Sequence, residues 1–185
     1  PGGASFNGAS SFGGSSAAEN GYYFNGLNVT SIRTGLGSIR LPWEAISQTQ
    51  VKTGGVSPEF GGALGGIVNA VSKSGDNDFN FGAEVRWDPD SLRSQHDSIY
   101  QENGTISTNT QQSSYDFKEL QLWASGAIIE DTLFFYGLFA PRREESTGAG
   151  QTTFSDFERD EDRWFTKVDW FINEDHSVGF SAMNN

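Results

Sequence analysis

Few side chains in this sequence are spaced for chemistry. Pro58 to Ser74 carries two glycine pairs, Gly61-Gly62 and Gly65-Gly66, and a glycine-rich loop can cradle phosphate on its backbone N–H groups. Such a loop ends in Gly-Lys-Ser/Thr. Here Gly66 is followed by Ile67, so the glycines read as structural, permitting tight turns and close backbone approach. His96 and His176 are the two histidines, each beside an aspartate in a segment that reads as loop or turn. A metal centre of the zinc type needs three or four convergent ligands, so both read as surface positions. The chain has no cysteine, which excludes thiolate ligands and disulfides. No Ser/His/Asp or Cys/His arrangement is visible. Glu158-Arg159-Asp160-Glu161-Asp162 reads as the solvated end of a loop, with a divalent-cation site on oxygen ligands as the alternative. No catalytic, cofactor or metal site is assigned, no cofactor is expected, and an enzyme is the least favoured class.

Charge and hydropathy narrow the partners. The 185 residues carry a formal net charge of -12, with acidic residues interleaved among aromatics from Glu84 onward. A phosphate-binding face needs clustered Lys and Arg, so nucleic acid is excluded as a partner. No apolar run approaches the ~18 residues of a membrane helix, but a membrane β-strand needs only ~9–11. Fifteen Phe and five Trp are what the interfacial girdles of a barrel require. The chain opens at Pro1 without the basic and apolar regions of a signal peptide, so it is expected to start after a removed signal or inside a larger protein.

The elements that would position these residues fall in two blocks. Residues 1 to 20, rich in Gly, Ser, Ala and Asn, read as a loop or flexible linker. Tyr22 to Leu27 reads as an aromatic strand closing on an Asn25-Gly26 turn, and Ser31 to Ser38 as a loop. Pro42 sits near a first helical turn at Leu41–Ile46. Strands are predicted at Ser47 to Thr53 and Ile67 to Ser72, with a capped single turn at Ser57-Pro58-Glu59-Phe60 between them. The boundary between the blocks is placed at Ser74–Asp78.

After Asp78 the apolar residues recur every second position. Phe79, Phe81, Ala83, Val85 and Trp87 form one row; Leu120, Leu122, Ala124, Gly126 and Ile128 a second. Tyr115 and Phe117 are out of phase with the second row, which predicts a bulge near that strand's start. Leu133 to Ala140 is apolar on both faces. Trp164, Thr166, Val168, Trp170 and Ile172 form a further row, and Val178, Phe180 and Ala182 begin a fifth. Glu84, Arg86, Lys167 and Asp169 fall on the opposite side. The connections read as alternately long and short: Pro89 to Ser114 long, Glu130 to Thr132 short, Glu144 to Glu161 long, Asn173 to His176 short. That alternation fits a membrane barrel with long external loops and short periplasmic turns; a soluble two-sheet sandwich is the alternative. About five strands do not close a barrel, so the chain reads as a fragment of a larger polypeptide.

Several segments resemble TonB-dependent outer-membrane receptors, and the Oar-like subgroup in particular. Asn25-Gly26-Leu27-Asn28-Val29-Thr30 is similar to a plug segment usually written with Asp where Asn25 stands. Leu41 to Ile46 followed by Gln50-Val51-Lys52-Thr53-Gly54-Gly55 resembles the plug's helical turn and strand. Glu59-Phe60-Gly61 into Gly65-Gly66-Ile67-Val68-Asn69 and Lys73-Ser74-Gly75 resembles its closing hairpin. Gly126 to Gly137, and Phe165 to Trp170 with Asn173-Glu174-Asp175-His176, resemble early barrel hairpins of the subgroup.

The resemblance implies a mostly β chain: a small α+β plug domain at 1–76, then the first four to five antiparallel strands of a large transmembrane β-barrel at 77–185. It implies the bacterial outer membrane, with lipid, lipopolysaccharide and the rest of the barrel as partners. An energy-coupling TonB-type protein would engage a segment not in this chain. Function is then transport of a large substrate such as a peptide, protein or glycan, with no covalent chemistry and no identified substrate-binding residue. The Asn25 departure removes a charge that ties plug to barrel wall in relatives. The alternative functions are a non-transporting plugged subunit of a surface or secretion assembly, in contact with a surface lipoprotein or other subunits, and a soluble β-rich binding module. Trp87, Trp164 and Trp170 fit an aromatic girdle.

Overall fold

The computed structural model describes residues 12, 15–31, 42–54, 60, 61, 63, 65–94, 97–110, 113–149 and 154–184. Among them the chain is mostly β, with short 3-10 turns and no α-helix. No helix is long and apolar enough to cross a membrane, which bears on helical spans alone. The chain divides into two compact units, Pro1–Ser74 with Asn185, and Gly75–Asn184.

The first unit holds a four-stranded sheet built from β1 (Gly21–Phe24), β2 (Leu27–Asn28), β3 (Ile46–Lys52) and β4 (Ile67–Ser72), in the order β2-β1-β4-β3. β1 and β4 run parallel and the other pairs antiparallel. Asn25 and Gly26 join β1 to β2 with φ of 50° and 81°, the double positive φ of a type I′ turn. The Asn25 side chain also reaches β4: its Oδ1 accepts the Ser72 backbone N–H at 2.9 Å and its Nδ2 donates to Ser72 Oγ at 3.0 Å. Tyr23, Phe24, Ala45 and Ile67 form the small core, with Tyr23 set edge-on to Phe60 at 4.9 Å. The turn before β3 is a 3-10 turn over Trp43–Ala45 with Pro42 at its N-cap.

Residues 15–20 are packed in place, where a loop or flexible linker was expected over 1–20. Ser16 and Glu19 close a capping box around a 3-10 turn at Ala17–Glu19, and Asn20 is buried. The Gly and Ser content of the segment obscures the Ser-x-x-Glu signal, which satisfies two backbone donors reciprocally. The segment packs on the second glycine pair. Gly65 N–H donates to Glu19 O at 2.9 Å and Gly66 N–H to Asn20 Oδ1 at 3.1 Å. A Cβ on Gly66 would stand 2.6 Å from Phe12 Cβ. The loop expected at Ser31 to Ser38 and the turn expected at Ser57 to Phe60 lie largely outside the described residues, as does Gly62.

The second unit is a five-stranded sheet of β5 (Asn80–Asp88), β8 (Ser114–Ile129), β9 (Leu133–Ala149), β10 (Phe154–Asn173) and β11 (His176–Asn184), in the order β11-β10-β9-β8-β5. Every neighbouring pair is antiparallel. The connection from β5 to β8 carries a separate hairpin of β6 (Ile99–Tyr100) and β7 (Ile106–Thr108). Asp131, with φ of 58°, turns β8 into β9, and its backbone N–H donates to Asn77 Oδ1 at 2.9 Å. Gly82 lies under the Trp123 indole, where a Cβ would be 2.6 Å from the ring.

Two expectations are corrected. Glu144 to Glu161 is not a long loop: β9 and β10 stay paired from Trp170↔Leu133 to Phe154↔Ala149. The segment looked like a loop because it is polar on both faces, but its charges alternate and pair across the strands. β8 also has no bulge near its start, since Ser114 to Glu119 pairs regularly with Thr147 to Arg142. The irregularities sit at the opposite end, between Ala127 and Ile129 and between Phe171 and Asn173.

Candidate functional site

The two faces of the five-stranded sheet carry opposite chemistry. Directly paired residues share a face, and faces alternate along each strand. One face presents Phe81, Val85, Leu122, Phe135, Phe139, Trp164, Val168 and Phe180, aligned through the pairings Val85↔Leu120, Leu122↔Phe139, Phe139↔Trp164, Phe135↔Val168 and Val168↔Phe180. Phe81, Val85 and Phe180 are 76%, 74% and 63% exposed, so these residues form no shared interior. An apolar surface of this extent marks contact with a partner or a lipid phase.

The other face is charged. Arg86, Glu119, Arg142 and Glu161 align in one row, and Asp88, Phe117, Glu144 and Arg159 in the next. Glu119 is buried between two guanidinium groups. Arg86 Nη1 approaches its Oε2 at 3.2 Å, and Arg163 Nη2 hydrogen-bonds its Oε1. Arg142 pairs with Glu161 at 3.0 Å, and Arg159 with Glu144 at 3.5 Å and Glu161 at 3.4 Å. A buried charge is tolerated only when paired, and these partners come from other strands, β5 and β10 for Glu119 and β10 for Arg142 and Glu144. Lys167 likewise pairs with Asp169 at 3.2 Å. Gln121 is buried with neither amide atom hydrogen-bonded, and Arg142 Nε and Arg163 Nε are also without partners.

The apolar face has slanted edges. Its residues run from Phe79, just before β5, to Trp87, from Leu120 to Ile128 on β8, from Leu133 to Pro141 on β9 and from Trp164 to Ile172 on β10, nine residues in each case. At the upper edge the register chain Trp87↔Lys118↔Arg143↔Asp160 puts Trp87 level with Asp160, four residues before Trp164 on β10. At the lower edge Phe81↔Ala124↔Gly137↔Thr166 puts Phe79 level with Val168, four residues before Ile172. Both edges therefore drop by the same four residues across three strand spacings. At a rise of ~3.3 Å per residue and a spacing of ~4.8 Å, the band crosses the strands at about 40° from their perpendicular. Membrane barrel strands tilt by ~35–45° and span with ~9–11 residues.

Beyond the upper edge the same strands continue as a charged hairpin. Arg143 pairs with Glu145 at 2.7 Å and Glu158 at 3.1 Å on the outward face. At the base of the β5–β8 connection, Arg93 lies over the Tyr115 ring at 4.3 Å and pairs with Asp88 at 3.4 Å. Burial raises the Tyr115 phenol above its ordinary pKa of 10.0, and the neighbouring Glu144 carboxylate adds to that rise.

The sequence is similar to that of the TonB-dependent transporter Oar of Myxococcus xanthus. The two are 34% identical over 141 residues, which is 76% of this chain and 13% of that protein. The similarity supports the TonB-dependent receptor family. The chain spans 13% of the length of the relative it matches. No family model matches the chain, and no solved structure matches it.

The residues singled out in the sequence are dispersed. His176 is exposed at the start of β11, with Nδ1 3.0 Å from Asn173 Oδ1; His96 lies outside the described residues. Among the described residues no group of three His, Asp or Glu is arranged to hold a metal ion. The acidic run does not end a loop but lies within β10. Arg159, Glu161 and Arg163 face the charged side, while Glu158, Asp160 and Asp162 face outward. Glu84, Arg86, Lys167 and Asp169 pair within the sheet. The buried centre at Glu119, with Arg163 and Gln121, was missed. Its signal was present, since arginines at 159 and 163 alternate with carboxylates at the spacing of one strand face.

Proposed function

We propose that the chain is part of a TonB-dependent outer-membrane transporter, with 1–76 forming a plug and 77–185 supplying the first strands of a transmembrane barrel. The observation that carries this reading is the slanted nine-residue apolar band, backed by a charged face. Its width and slant suit a tilted sheet in hydrocarbon, with the charged face toward a polar lumen. A sheet in lipid leaves costly unpaired N–H and C=O groups at its edges unless further strands close it; β5 and β11 would each take another barrel strand. Similarity to the Oar transporter supports the family, and the reading extends to Oar-like transport of a large peptide, protein or glycan. Transport is binding followed by plug rearrangement, driven by a TonB-type protein. Outer-membrane lipid and lipopolysaccharide surround the barrel, and a surface lipoprotein or assembly subunit is a further partner.

Single cysteines in the full-length protein test the membrane placement. In bilayer vesicles, Val85→Cys, Phe139→Cys and Phe180→Cys should react with a lipid-phase probe, whereas Glu84→Cys and Lys167→Cys should not. Equal labelling from water at Val85 and Phe180 would defeat the barrel reading. Uptake of candidate peptides, proteins and glycans by cells with and without the energy-coupling protein tests transport. Uptake unchanged by its loss would leave a plugged structural subunit.

A further inference from the structure

Asparagine followed by glycine is prone to one self-contained reaction. Glycine has no Cβ to hinder its backbone nitrogen, so that nitrogen can reach the preceding carboxamide carbon. Two such pairs lie among the described residues, Asn25-Gly26 and Asn103-Gly104; a third, Asn7-Gly8, lies outside them. Their side chains are held in opposite ways. The Asn25 carboxamide is tied to β4: its Oδ1 accepts the Ser72 N–H and its Nδ2 donates to Ser72 Oγ. Both of its ends are committed to a residue 47 positions away. Asn103 is exposed in the connection between β6 and β7, and its contacts are local. Its Oδ1 accepts the Thr105 backbone N–H at 3.0 Å and the Thr105 hydroxyl at 2.6 Å. The same hydroxyl stands farther from Gln101 Oε1, at 3.3 Å. Gly104 has φ of 79°, and a Cβ there would meet nothing within 4 Å. The turn is closed by Gly104 N–H on Gln101 O at 2.9 Å and Gln101 N–H on Thr105 O at 2.8 Å.

We propose that Asn103 is a site of spontaneous deamidation, and that Ser72 protects Asn25 from the same reaction. Gly104 N, released from Gln101 O and stripped of its proton, attacks Asn103 Cγ. The new C–N bond closes a succinimide ring, and Nδ2 takes up a proton and leaves as ammonia. Water then opens the ring at either carbonyl and gives an aspartyl or an isoaspartyl residue. No oxidant and no second protein take part. Negative charge builds on Oδ1 as Cγ becomes tetrahedral, and the Thr105 N–H and hydroxyl are already aimed at that oxygen, as donors that stabilise an oxyanion must be. Asn25 Oδ1 also accepts donors, from Ser72 N and Oγ. There, however, the carboxamide must leave Ser72, and with it the sheet, before Cγ can approach Gly26 N. At Asn103 the only bond to open is the exposed one from Gly104 to Gln101. The product puts a carboxylate on the tip of the hairpin, and the isoaspartyl form also lengthens the backbone there, which breaks the pairing of Gln101 with Thr105. This inference does not depend on the membrane reading.

The test ages the full-length protein in heavy-oxygen water, which marks each new carboxylate, and follows both asparagines by peptide mapping. In denaturant the two should convert at similar rates, since each is followed by glycine. In the folded protein Asn103 should stay close to its unfolded rate, whereas Asn25 should be slowed about tenfold, near the worth of one net hydrogen bond. Thr105→Val keeps the shape of the side chain and loses the hydroxyl; it should slow Asn103 severalfold, and Thr105→Ser should not. Equal folded rates at the two asparagines, or an Asn103 rate unmoved by Thr105→Val, would overturn the assignment.

Discussion

The two units of this chain are held together in different ways. In the first, strands of two to seven residues are locked by particular contacts: Asn25 on Ser72, Asn20 on Gly66, and the backbone of Gly65 on Glu19. In the second, strands of up to twenty residues share one continuous ladder, and the side chains decide only which medium each face meets. The nine-residue band and the charged hairpin beyond it belong to the same strands with the same pairing, yet one suits hydrocarbon and the other water. Mutational sensitivity should therefore follow individual contacts in the first unit, and face and depth in the second.

The buried charge centre should show this most strongly. Glu119→Ala leaves Arg86 and Arg163 without their shared carboxylate, and breaking a buried pair costs about 3–5 kcal/mol. Glu158→Ala removes a partner of the exposed Arg143 and should not change stability measurably. Chemical unfolding of the full-length protein in bilayers reads both, and equal losses would abolish the distinction between faces. Depth comes next. Val168→Arg, in the middle of the band, should cost about 2–4 kcal/mol in the same assay, the range for a cation at the bilayer midplane. Thr147→Arg, on the same face of the hairpin, should cost nearly nothing. A tolerated Val168→Arg would mean that the band does not face lipid.

In the first unit the contrast is between two glycines. Gly66→Ala drives a methyl into Phe12 and should destabilise by about 1–3 kcal/mol, as overpacking does. Gly54→Ala meets nothing within 4 Å and should be neutral. Local proteolysis of the N-terminal segment would report the difference.

This division also explains what could be read in the sequence. The rows on β5 and β10 were legible because each strand divides an apolar face from a polar one, and period two records that division. The hairpin above them was not, because both its faces are polar, and a polar strand then resembles a loop. The ion pairs that reveal it as a strand connect residues on different strands, such as Arg142 and Glu161, so no local window contains them. The first unit's sheet was legible at Asn25-Gly26 and at β4, where turn chemistry and β-branched residues act locally. The packing of Phe12, Glu19 and Asn20 was not, because contact with Gly65 and Gly66 spans about fifty residues. The buried site around Glu119 needed the register, which periodicity alone does not supply.

The smallest effect concerns Tyr115, where the strand ladder has left the band but its side chains are not yet fully in water. Burial, reinforced by Glu144, raises the phenol pKa above 10.0, and Arg93 acts in the opposite direction. Since the folded pKa lies above the unfolded one, the folded state holds this proton more tightly. The associated stability is fully present below the unfolded value near pH 10 and is lost as pH rises through the folded value. Phenolate absorbance of the full-length protein, with Tyr115→Phe subtracted, should place the Tyr115 transition above the ordinary range. Glu144→Gln should move it down and Arg93→Gln should move it up. A Tyr115 transition at the ordinary pKa, unmoved by either variant, would mean that the base of the hairpin is as wet as its tip, and that protection from water ends abruptly at the Trp87–Trp164 edge instead of extending along the strands.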